Sequence, residues 1–336
     1  MSQNEQDLAR HLRTAATAHF GQELRIDGLT RITAGASREV WAFDTVDDVG
    51  RRRALVLKRD PPADSRDAGD DISHALDRAT EGQLMRHARD GGVPEPEVVF
   101  FLTEAEHGAA GFVMMRIEGE TLGRRIVRDD AFAAAREHLA FQCGEAIARI
   151  HAIDPAPLPP LPSLSPHEHL LHYRDTLDRI GEPRPGFEYG FRWLEERIDM
   201  AGSRHTLVHG DFRNGNIIVG PEGLRAVLDW EIAHYGDPMC DLAWISIPSW
   251  RFGRFDRPVG GFGERESLFE GYEAGGGPPV DPGQVHFWEV FGTLRWGVMC
   301  MSFGERYFSG RMPGIEPAAI ARRAAETEYD LLQLVD

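Results

Sequence analysis

Residues 207–244 read LVHGDFRNGNIIVGPEGLRAVLDWEIAHYGDPMCDLAW, and this stretch decides the fold. Its two apolar runs, IIV and AVL, predict short buried strands that are bounded by turn residues. Asp211, Asn216 and Asp229 then fall at strand ends and in loops, where a rigid scaffold directs polar side chains towards a ligand. The stretch therefore predicts a functional site that is built from two carboxylates and an amide.

These three side chains have the spacing and the residue types of a phosphoryl-transfer site. The separation of Asp211 and Asn216 equals that of Asp and Asn in the protein-kinase catalytic loop, and Asp229 stands where the Asp of D-F-G would stand. Phosphoryl transfer needs cations that neutralise charge and a carboxylate that orients the attacking hydroxyl. We therefore expect Asp211 to be the catalytic carboxylate, and Asn216 and Asp229 to be oxygen ligands of Mg²⁺.

The first part of the chain has the order of parts found in the nucleotide-binding lobe of kinases. Strands are predicted there at 24–33, 39–45 and 53–58. The loop between the first two offers Gly35, Ala36 and Ser37 as contacts for phosphate, although it departs from G-x-G-x-x-G and plain turns have the same composition. Lys58 ends the third strand and is the candidate partner of the α- and β-phosphates of ATP.

Two further segments are candidates for nucleotide binding. Glu81 lies in a predicted helix at 72–90 and would pair with Lys58, although a helical Glu is most often a solvated surface charge. The segment MRIEGETL looks like the crossing between two lobes, where backbone groups at Met115 and Ile117 would hold the adenine edge. We therefore expect ATP to bind between these segments and the strand that ends in Lys58.

Composition limits the partners and the compartment. The 336 residues carry a net charge of −17, which repels nucleic acid and anionic membranes, whereas ATP binding depends on local donors and metal. No apolar run is long enough to span a membrane, and the polar N-terminus lacks a signal-peptide core. Three scattered cysteines, Cys143, Cys240 and Cys300, predict buried free thiols in a reducing compartment. We therefore expect a cytoplasmic protein without nucleic-acid or membrane partners.

Predicted strands cluster before Arg116, and predicted helices follow it. The longer helices are expected at 131–153, 167–180, 187–201, 264–274, 282–303 and 317–334. This order predicts an α+β fold with two lobes, as in protein kinases. We expect residues 1–117 to form a small antiparallel-sheet lobe that binds nucleotide, and residues 118–336 to form a larger, mainly helical lobe for catalysis and substrate binding.

The motifs together resemble one known family. LVHGDFRNGNIIV, AVLDWE and HYGDPMCDLAW look like the phosphotransferase family that includes aminoglycoside and choline kinases, which is similar in fold to protein kinases. AGASREVWAFD, LVLKRDPP and VHFWEVFGTLRWGVM extend the resemblance, which is closest to the branch also found fused to acyl-CoA dehydrogenases. It implies ATP and Mg²⁺ as cofactors, and it implies these site residues: Asp211 as catalytic carboxylate, Asn216 and Asp229 on the metal, Lys58 on ATP and Glu81 beside Lys58. D-F-G is D-W-E here, and this departure at Trp230 and Glu231 bears on how the metal is held.

The acceptor is expected to be a small molecule. Asp237 and Pro238 start a helix soon after the D-W-E motif, which leaves no room for the peptide-docking activation segment of protein kinases. The branch resemblance implies a hydroxy acid or a hydroxyacyl thioester, and an aminoglycoside is the competing acceptor. Arg251, Arg254 and Arg257, in a predicted loop over a pocket, favour an anionic acceptor, although such arginines are more often solvated surface charges.

Two other functions stay open at this point. A non-catalytic, nucleotide-binding pseudokinase is opposed by the intact set of motif residues. A hydrolytic metal site formed by His209, Asp211 and Asp229 lacks an H-E-x-x-H pattern. We expect His209 instead to pack and to hydrogen-bond its own loop, and Asp241 to bind the backbone of the catalytic loop.

Overall fold

The computed structural model describes residues 3–34, 39–61 and 75–335. Five strands form an antiparallel sheet in the order β1-β2-β3-β5-β4. They are β1 (Arg25–Ala34), β2 (Glu39–Val46), β3 (Arg52–Arg59), β4 (Val98–Leu102) and β5 (Gly111–Met115), with the short α3 (Glu104–His107) between β4 and β5. Helix α1 (Gln3–Phe20) buries Leu8 and Leu12 in the same apolar cluster as Trp41 and Phe43 of β2. The sheet and this helix therefore share one core.

Strand β3 lies inside the sheet and holds Lys58. Lys58 is opposite Val40 of β2 and Phe112 of β5. Leu55 and Leu57 are fully buried in the cluster that α1 also joins. Because side chains alternate along a strand, Lys58 points to the other face of the sheet, where α2 (Arg78–Asp90) packs.

Helix α2 begins at Arg78 and not at residue 72, as the sequence predicts. The side chain of Asp77 accepts a hydrogen bond from the backbone N–H of Thr80 across 2.8 Å, and the Asp77 backbone is extended. Asp77 is therefore the N-cap, which excludes residues 75–77 from the helix, while residues 72–74 lie outside the described residues. Glu81, in the first turn of α2, is fully buried beneath the sheet.

Two small antiparallel strand pairs follow later in the chain. β7 (Ile217–Gly220) and β8 (Gly223–Val227) form the expected hairpin. β6 (Thr206–Val208) pairs with β9 (His234–Gly236), which the sequence does not predict. β9 has three residues and exists through its pairing with β6, so no local pattern announces it.

The remainder of the chain is mainly helical. Its helices are α4 (Gly123–Arg128), α5 (Ala133–His151), α6 (Pro166–Ile180), α7 (Pro185–Glu195), α8 (Met239–Trp244), α9 (Arg265–Ala274), α10 (Pro282–Phe308), α11 (Ile315–Ala321) and α12 (Ala324–Val335). The helix predicted at 187–201 ends at Glu195, and a 3₁₀ turn follows at Ile198–Met200. The helix predicted at 317–334 is divided in two by a turn at Arg322 and Arg323. The predicted α+β fold, with its antiparallel sheet first and its helices after it, is confirmed.

Helices α5 and α9 approach each other closely at two glycines. A Cβ at Gly144 would collide with the backbone of Leu268, and a Cβ at Gly271 would collide with that of Phe141. Glycine at both positions therefore lets the two backbones touch. This approach places His151, the last residue of α5, beside Tyr272 of α9.

Across the described ranges, no helix has both the length and the apolar character needed to cross a bilayer. The three cysteines are unpaired. Cys143 and Cys300 are buried as predicted, and burial raises the pKa of Cys300 to about 12. Cys240 is only partly buried, which differs from the prediction.

Candidate active site

The loop after β6 is held by a buried carboxylate of α8. Oδ2 of Asp241 accepts the backbone N–H of His209 across 2.8 Å, and Oδ1 accepts that of Gly210 across 2.9 Å. Gly210 has a φ of +79°, and a Cβ there would lie 2.8 Å from the carbonyl oxygen of Ile232. The H-G-D sequence therefore needs its glycine for this turn. The structural role predicted for Asp241 is confirmed.

His151 is a second partner of Asp241. Its Nε2 lies 3.1 Å from Oδ2 of Asp241, and its Nδ1 lies 2.9 Å from the hydroxyl of Tyr272. Burial alone would raise the pKa of Asp241, but the hydrogen bonds from His151 and from the loop hold that pKa below its ordinary value of 3.8. Asp241 therefore stays ionised and holds the loop after β6 through the N–H groups of His209 and Gly210.

Asp211 is oriented by three side chains. Its Oδ1 accepts hydrogen bonds from the indole nitrogen of Trp244 across 2.7 Å and from Nε of Arg213 across 2.9 Å. Its Oδ2 accepts one from Nδ2 of Asn216 across 2.5 Å. Bonds on both oxygens fix the carboxylate, and a carboxylate with about four lone-pair sites retains room for one more donor.

Asn216 precedes β7 and links the loop that carries Asp211 to the segment that carries Asp229. Its Nδ2 donates to the side chain of Asp211 and, across 3.0 Å, to the Asp211 backbone oxygen. Its own backbone oxygen accepts the N–H of Leu228 across 2.8 Å, one residue before Asp229. Because the amide nitrogen is turned to Asp211, the side-chain carbonyl oxygen is the atom left for a cation.

Asp229 follows β8 in an unusual conformation. Its φ is +67°, in the left-handed region that residues other than glycine seldom adopt. Its Oδ1 lies 2.5 Å from Nζ of Lys58. Burial would raise the pKa of Asp229, but Lys58 lowers it to about 2. The carboxylate is therefore ionised, and 35% of its side chain remains exposed to a ligand.

Lys58 is a buried cation that contacts two carboxylates closely and has a third, that of Glu231, 3.9 Å from its Nζ. Besides its contact with Asp229, its Nζ lies 2.6 Å from Oε1 of Glu81, whose other oxygen contacts Arg78. Burial would lower the pKa of Lys58, but Asp229 and Glu81 outweigh burial and raise that pKa. Strand β3, helix α2 and the residue after β8 thus meet at one ammonium group.

His209 packs beneath the site, as expected. Its Nε2 donates to the carbonyl oxygen of Leu228 across 3.0 Å, and its Nδ1 accepts the N–H of Asp211 across 3.2 Å. Burial lowers the pKa of His209, so the ring is neutral. Both ring nitrogens are engaged, so His209 has no atom to offer to a hydrolytic metal site. Nor are three His, Cys, Asp or Glu side chains grouped to hold a metal ion within residues 3–34, 39–61 and 75–335.

The remaining predicted nucleotide contacts are less complete. Gly35, Ala36 and Ser37 lie outside the described residues. Met115 is the last residue of β5, and its backbone N–H donates to the carbonyl oxygen of Glu97 across 2.9 Å, so this donor is already used. Ile117 lies two residues beyond the end of the strand and is partly buried.

Sequence reasoning missed three residues around Asp211. Trp244 and Arg213 bond to its carboxylate, and Arg295 of α10 donates to the carbonyl oxygen of Gly210 across 3.1 Å. The guanidinium of Arg295 also lies over the Trp244 ring, 4.3 Å from its centre. Trp244 and Arg213 belong to the stretch that decides the fold, but no spacing rule assigns them a role. Arg295 has no local signal, since α10 is distant in sequence.

The three arginines that favoured an anionic acceptor are engaged elsewhere. Arg254 makes a two-bond pair with Asp256, at 3.0 Å for each bond, and Arg257 pairs with Glu264 at 2.7 Å. Arg251 donates to the backbone oxygen of Ser246. Nearby acceptors satisfy these guanidinium groups, so the arginines by themselves do not support an anionic acceptor, although Arg251 lines the adjacent cavity.

The loop that bears these arginines lines a cavity, as the sequence predicts. The cavity has a volume of about 970 Å³ and lies between the loop and α12. Phe252 and Phe255 form its loop side, and Tyr329 and Asp330 form its helix side. Asp211 is not among the residues that line it, so the cavity is separate from the cluster around the catalytic loop.

Comparison with known proteins gives a match over most of the chain. The profile described as "Phosphotransferase enzyme family" (APH) matches residues 28–278. Acyl-CoA dehydrogenase family member 10 of Mus musculus is 27% identical over 281 residues, which are 77% of this chain and 25% of the mouse protein. The chain therefore spans about a quarter of the length of this curated relative.

Solved structures share the fold. A candidate aminoglycoside phosphotransferase from Ralstonia eutropha JMP134 superimposes with a TM-score of 0.71 at 18% identity, over 97% of each chain. A thermostable mutant of aminoglycoside phosphotransferase APH(4)-Ia, in a ternary complex with AMP-PNP and hygromycin B, superimposes with a TM-score of 0.61 at 15% identity, over 97% of this chain and 98% of that chain. Identities this low establish the fold alone, and the predicted kinase-like arrangement of a sheet lobe and a helical lobe is confirmed.

Proposed function

Because the chain belongs to the phosphotransferase enzyme family, we propose that it is an ATP- and Mg²⁺-dependent kinase acting on a hydroxyl group of a small molecule. One observation carries the proposal: the Asp211–Asn216 pair and the Lys58–Asp229 pair belong to a single cluster. Asp211 meets Asn216 at 2.5 Å, Lys58 meets Asp229 at 2.5 Å, and the Leu228–Asn216 backbone hydrogen bond connects them. A carboxylate for the acceptor, two oxygen ligands and a buried cation are the parts that phosphoryl transfer uses.

In the proposed reaction, Asp211 orients the acceptor hydroxyl and accepts its proton. The hydroxyl oxygen forms a bond to the γ-phosphorus of ATP while the bond from that phosphorus to the ADP oxygen breaks. The hydrogen bonds from Trp244, Arg213 and Asn216 hold the carboxylate still and leave it one accepting position. Such preorganisation is the main contribution a protein can make to phosphoryl transfer.

The residues present fit a magnesium ion. Proteins bind Mg²⁺ through one or two oxygen side chains together with phosphates and water. Asp229 is ionised and partly exposed, and Asn216 has turned its amide nitrogen away, so both offer an oxygen. We assign both as ligands. When bound, Mg²⁺ neutralises charge on the β- and γ-phosphates.

Nucleotide binding is assigned to the sheet lobe. Lys58 binds the α- and β-phosphates and Glu81 holds it there, since the two are in contact at 2.6 Å. Gly35, Ala36 and Ser37 are proposed as phosphate contacts from the sequence alone. The Met115 N–H is taken by Glu97, so the Met115 carbonyl oxygen and the backbone of Ile117 are proposed to receive the adenine edge. The AMP-PNP complex of APH(4)-Ia supports ATP as the donor. We also propose that the nucleotide-binding lobe covers residues 1–117 and the catalytic lobe residues 118–336, and the end of β5 at Met115 supports this boundary.

A hydroxy acid or hydroxyacyl compound is favoured over an aminoglycoside as the acceptor. A small cleft beside Trp244 is lined by Arg295 and by the imidazoles of His169 and His234. Asp237 is the one acidic residue among the described residues that line the cleft. Its carboxylate already accepts a hydrogen bond from the indole N–H of Trp288 across 2.8 Å. The cleft has a volume of about 20 Å³, which is room for about one water molecule, so the acceptor itself would lie outside it, at Asp211. The nearby Arg295 guanidinium would repel a cationic aminoglycoside there and attract an anionic acceptor.

ADP release, measured over a panel of hydroxy acids, hydroxyacyl thioesters, neutral alcohols and aminoglycosides, tests the proposal. We expect turnover with an anionic hydroxyl compound and a loss of at least about a hundredfold in Asp211→Ala, as for other transition-state contacts. AMP-PNP binding should persist in this variant. Asp178→Ala, on the exposed surface of α6, is the matched control and should keep full activity.

Three outcomes would overturn the proposal or its acceptor. Full turnover in Asp211→Ala would remove the assigned role of Asp211. Tight ATP binding without turnover on any acceptor would indicate a pseudokinase. Turnover with aminoglycosides alone, together with resistance in cells that express the protein, would replace the anionic acceptor with a cationic one.

A further inference from the structure

Glu95 is a buried carboxyl group that the proposed reaction does not use. It lies in the segment between α2 and β4 and is 2% exposed. Its Oε1 accepts the indole N–H of Trp230 across 2.9 Å. Its Oε2 is buried and has no hydrogen-bond partner in the part of the chain that the structure describes. Burial raises the pKa of Glu95 well above its ordinary value, which favours the neutral acid over the carboxylate.

Trp230 is enclosed on two sides. It is fully buried, with the ring of His209 at 4.8 Å between centroids and Glu95 at its indole nitrogen. It directly follows Asp229, whose backbone is left-handed. A phenylalanine, which D-F-G has at this position, would fill the same space without a hydrogen bond. The indole N–H therefore ties the residue after Asp229 to a fixed point outside the catalytic loop.

Two backbone hydrogen bonds strengthen the same connection. The N–H of Val227 donates to the carbonyl oxygen of Pro94 across 2.7 Å. The N–H of Leu76 donates to the carbonyl oxygen of Glu231, also across 2.7 Å. The segments on both sides of α2 are thus bonded to the segments on both sides of Asp229 and Trp230. Helix α2 also holds Glu81, the partner of Lys58.

We propose that Glu95 is a positioning residue that holds Asp229 in its metal-binding conformation by hydrogen-bonding Trp230. The inference rests on the role in Mg²⁺ binding proposed above for Asp229. Glu95 touches neither metal nor nucleotide and acts through the Trp230 indole. Partners of this kind, one shell behind a ligand, commonly set the affinity of a metal site.

Calorimetry with AMP-PNP, at saturating Mg²⁺ and again in EDTA, measures the gain in affinity due to the metal without requiring turnover. We expect Glu95→Leu and Trp230→Phe each to reduce this gain about tenfold, while the Kd in EDTA changes by less than about twofold. Glu95→Gln is the matched control, because its amide oxygen still accepts the indole N–H, and it should keep the gain. The double variant Glu95→Leu/Trp230→Phe should equal either single variant, since both remove one interaction.

The outcomes separate this inference from the proposed function. An unchanged gain in Trp230→Phe, or additive losses in the double variant, would overturn the role of Glu95 alone, and Trp230→Phe decides this even where Glu95→Leu fails to fold. Asp229→Asn should abolish the gain. An unchanged gain in Asp229→Asn would overturn both the metal role of Asp229 and the inference built on it.

Discussion

Trp244 donates a hydrogen bond from its indole nitrogen to Oδ1 of Asp211 across 2.7 Å. Trp244 ends α8, and the first turn of the same helix carries Asp241, which holds the loop amides of His209 and Gly210. One short helix therefore supplies both the anchor of the catalytic loop and a donor to the carboxylate on that loop. A shift of α8 would disturb the position and the orientation of Asp211 together.

We expect Trp244→Phe to lower kcat about ten- to a hundredfold, because a hydrogen bond to a charged group contributes about 1.5–3 kcal/mol. ADP release, measured with the acceptor that the panel of hydroxyl compounds identifies, gives kcat. Trp250→Phe is the control, since Trp250 is also buried, its ring centre lies 5.5 Å from that of Trp244, and within the described residues its indole N–H has no partner. Equal losses in the two variants would show that packing, and not the hydrogen bond, matters.

Replacing Lys58 by Met should destabilise the protein and weaken nucleotide binding together. The change leaves Asp229 without the Lys58 cation and leaves the buried Glu81 carboxylate with Arg78 alone. Removing one partner of a buried pair costs roughly 3–5 kcal/mol. Urea unfolding and AMP-PNP calorimetry measure the two effects. Arg59→Met is the control, because neighbouring Arg59 is equally buried and pairs with Glu39 at 2.6 Å instead of with Glu81 or Asp229. It should lose stability but keep its AMP-PNP affinity, and a comparable loss of affinity would refute the role of Lys58.

Asp241 should make stability depend on pH in acid. Its folded pKa lies below 3.8, so in the unfolded state the group takes up a proton first as pH falls. The stability that it contributes is therefore present above 3.8 and is lost as pH falls through the folded pKa. Asp241→Asn, which cannot titrate, should be less stable than the parent near neutral pH, and the difference should shrink in acid. Unfolding curves at several pH values test this, and a difference that stays constant with pH would contradict it.

Gly144→Ala should destabilise the contact between α5 and α9 by about 1–3 kcal/mol, because the added methyl group meets the backbone of Leu268. Gly304→Ala in α10 is the control, since its new methyl would lie 3.2 Å from the Cβ of Ala321 and meets no backbone. Thermal unfolding should show a loss for the first variant and little change for the second. Two equal shifts would mean that α5 and α9 can separate without penalty.

The main elements of the site follow from local sequence. Asp211, Asn216 and Asp229 lie around one hairpin, so their spacing alone brings them near each other, and the family resemblance they carry is confirmed. The small sheet was also predictable. In β2 and β3, apolar residues either alternate with polar ones or follow one another, and turn residues bound each strand. Helix α2 was placed too early because several acidic residues precede it, and only the geometry of Asp77 shows which one is the cap.

What sequence reasoning could not reach depends on distant contacts. β9 exists by pairing with β6, and Trp244, Arg295 and Glu95 act on residues far from them in the chain. Their residue types have many ordinary uses, so no pattern singles them out. The arginines of the loop after Trp250 could be interpreted either as ligand contacts or as ordinary surface charges, and only the structure shows that neighbouring groups satisfy them.

The left-handed backbone of Asp229 strains the residue that the proposed metal site requires. Glycine adopts that conformation without strain, but it has no side-chain oxygen that could bind the metal. A descendant no longer selected for phosphate transfer could therefore accept glycine at 229 without backbone strain.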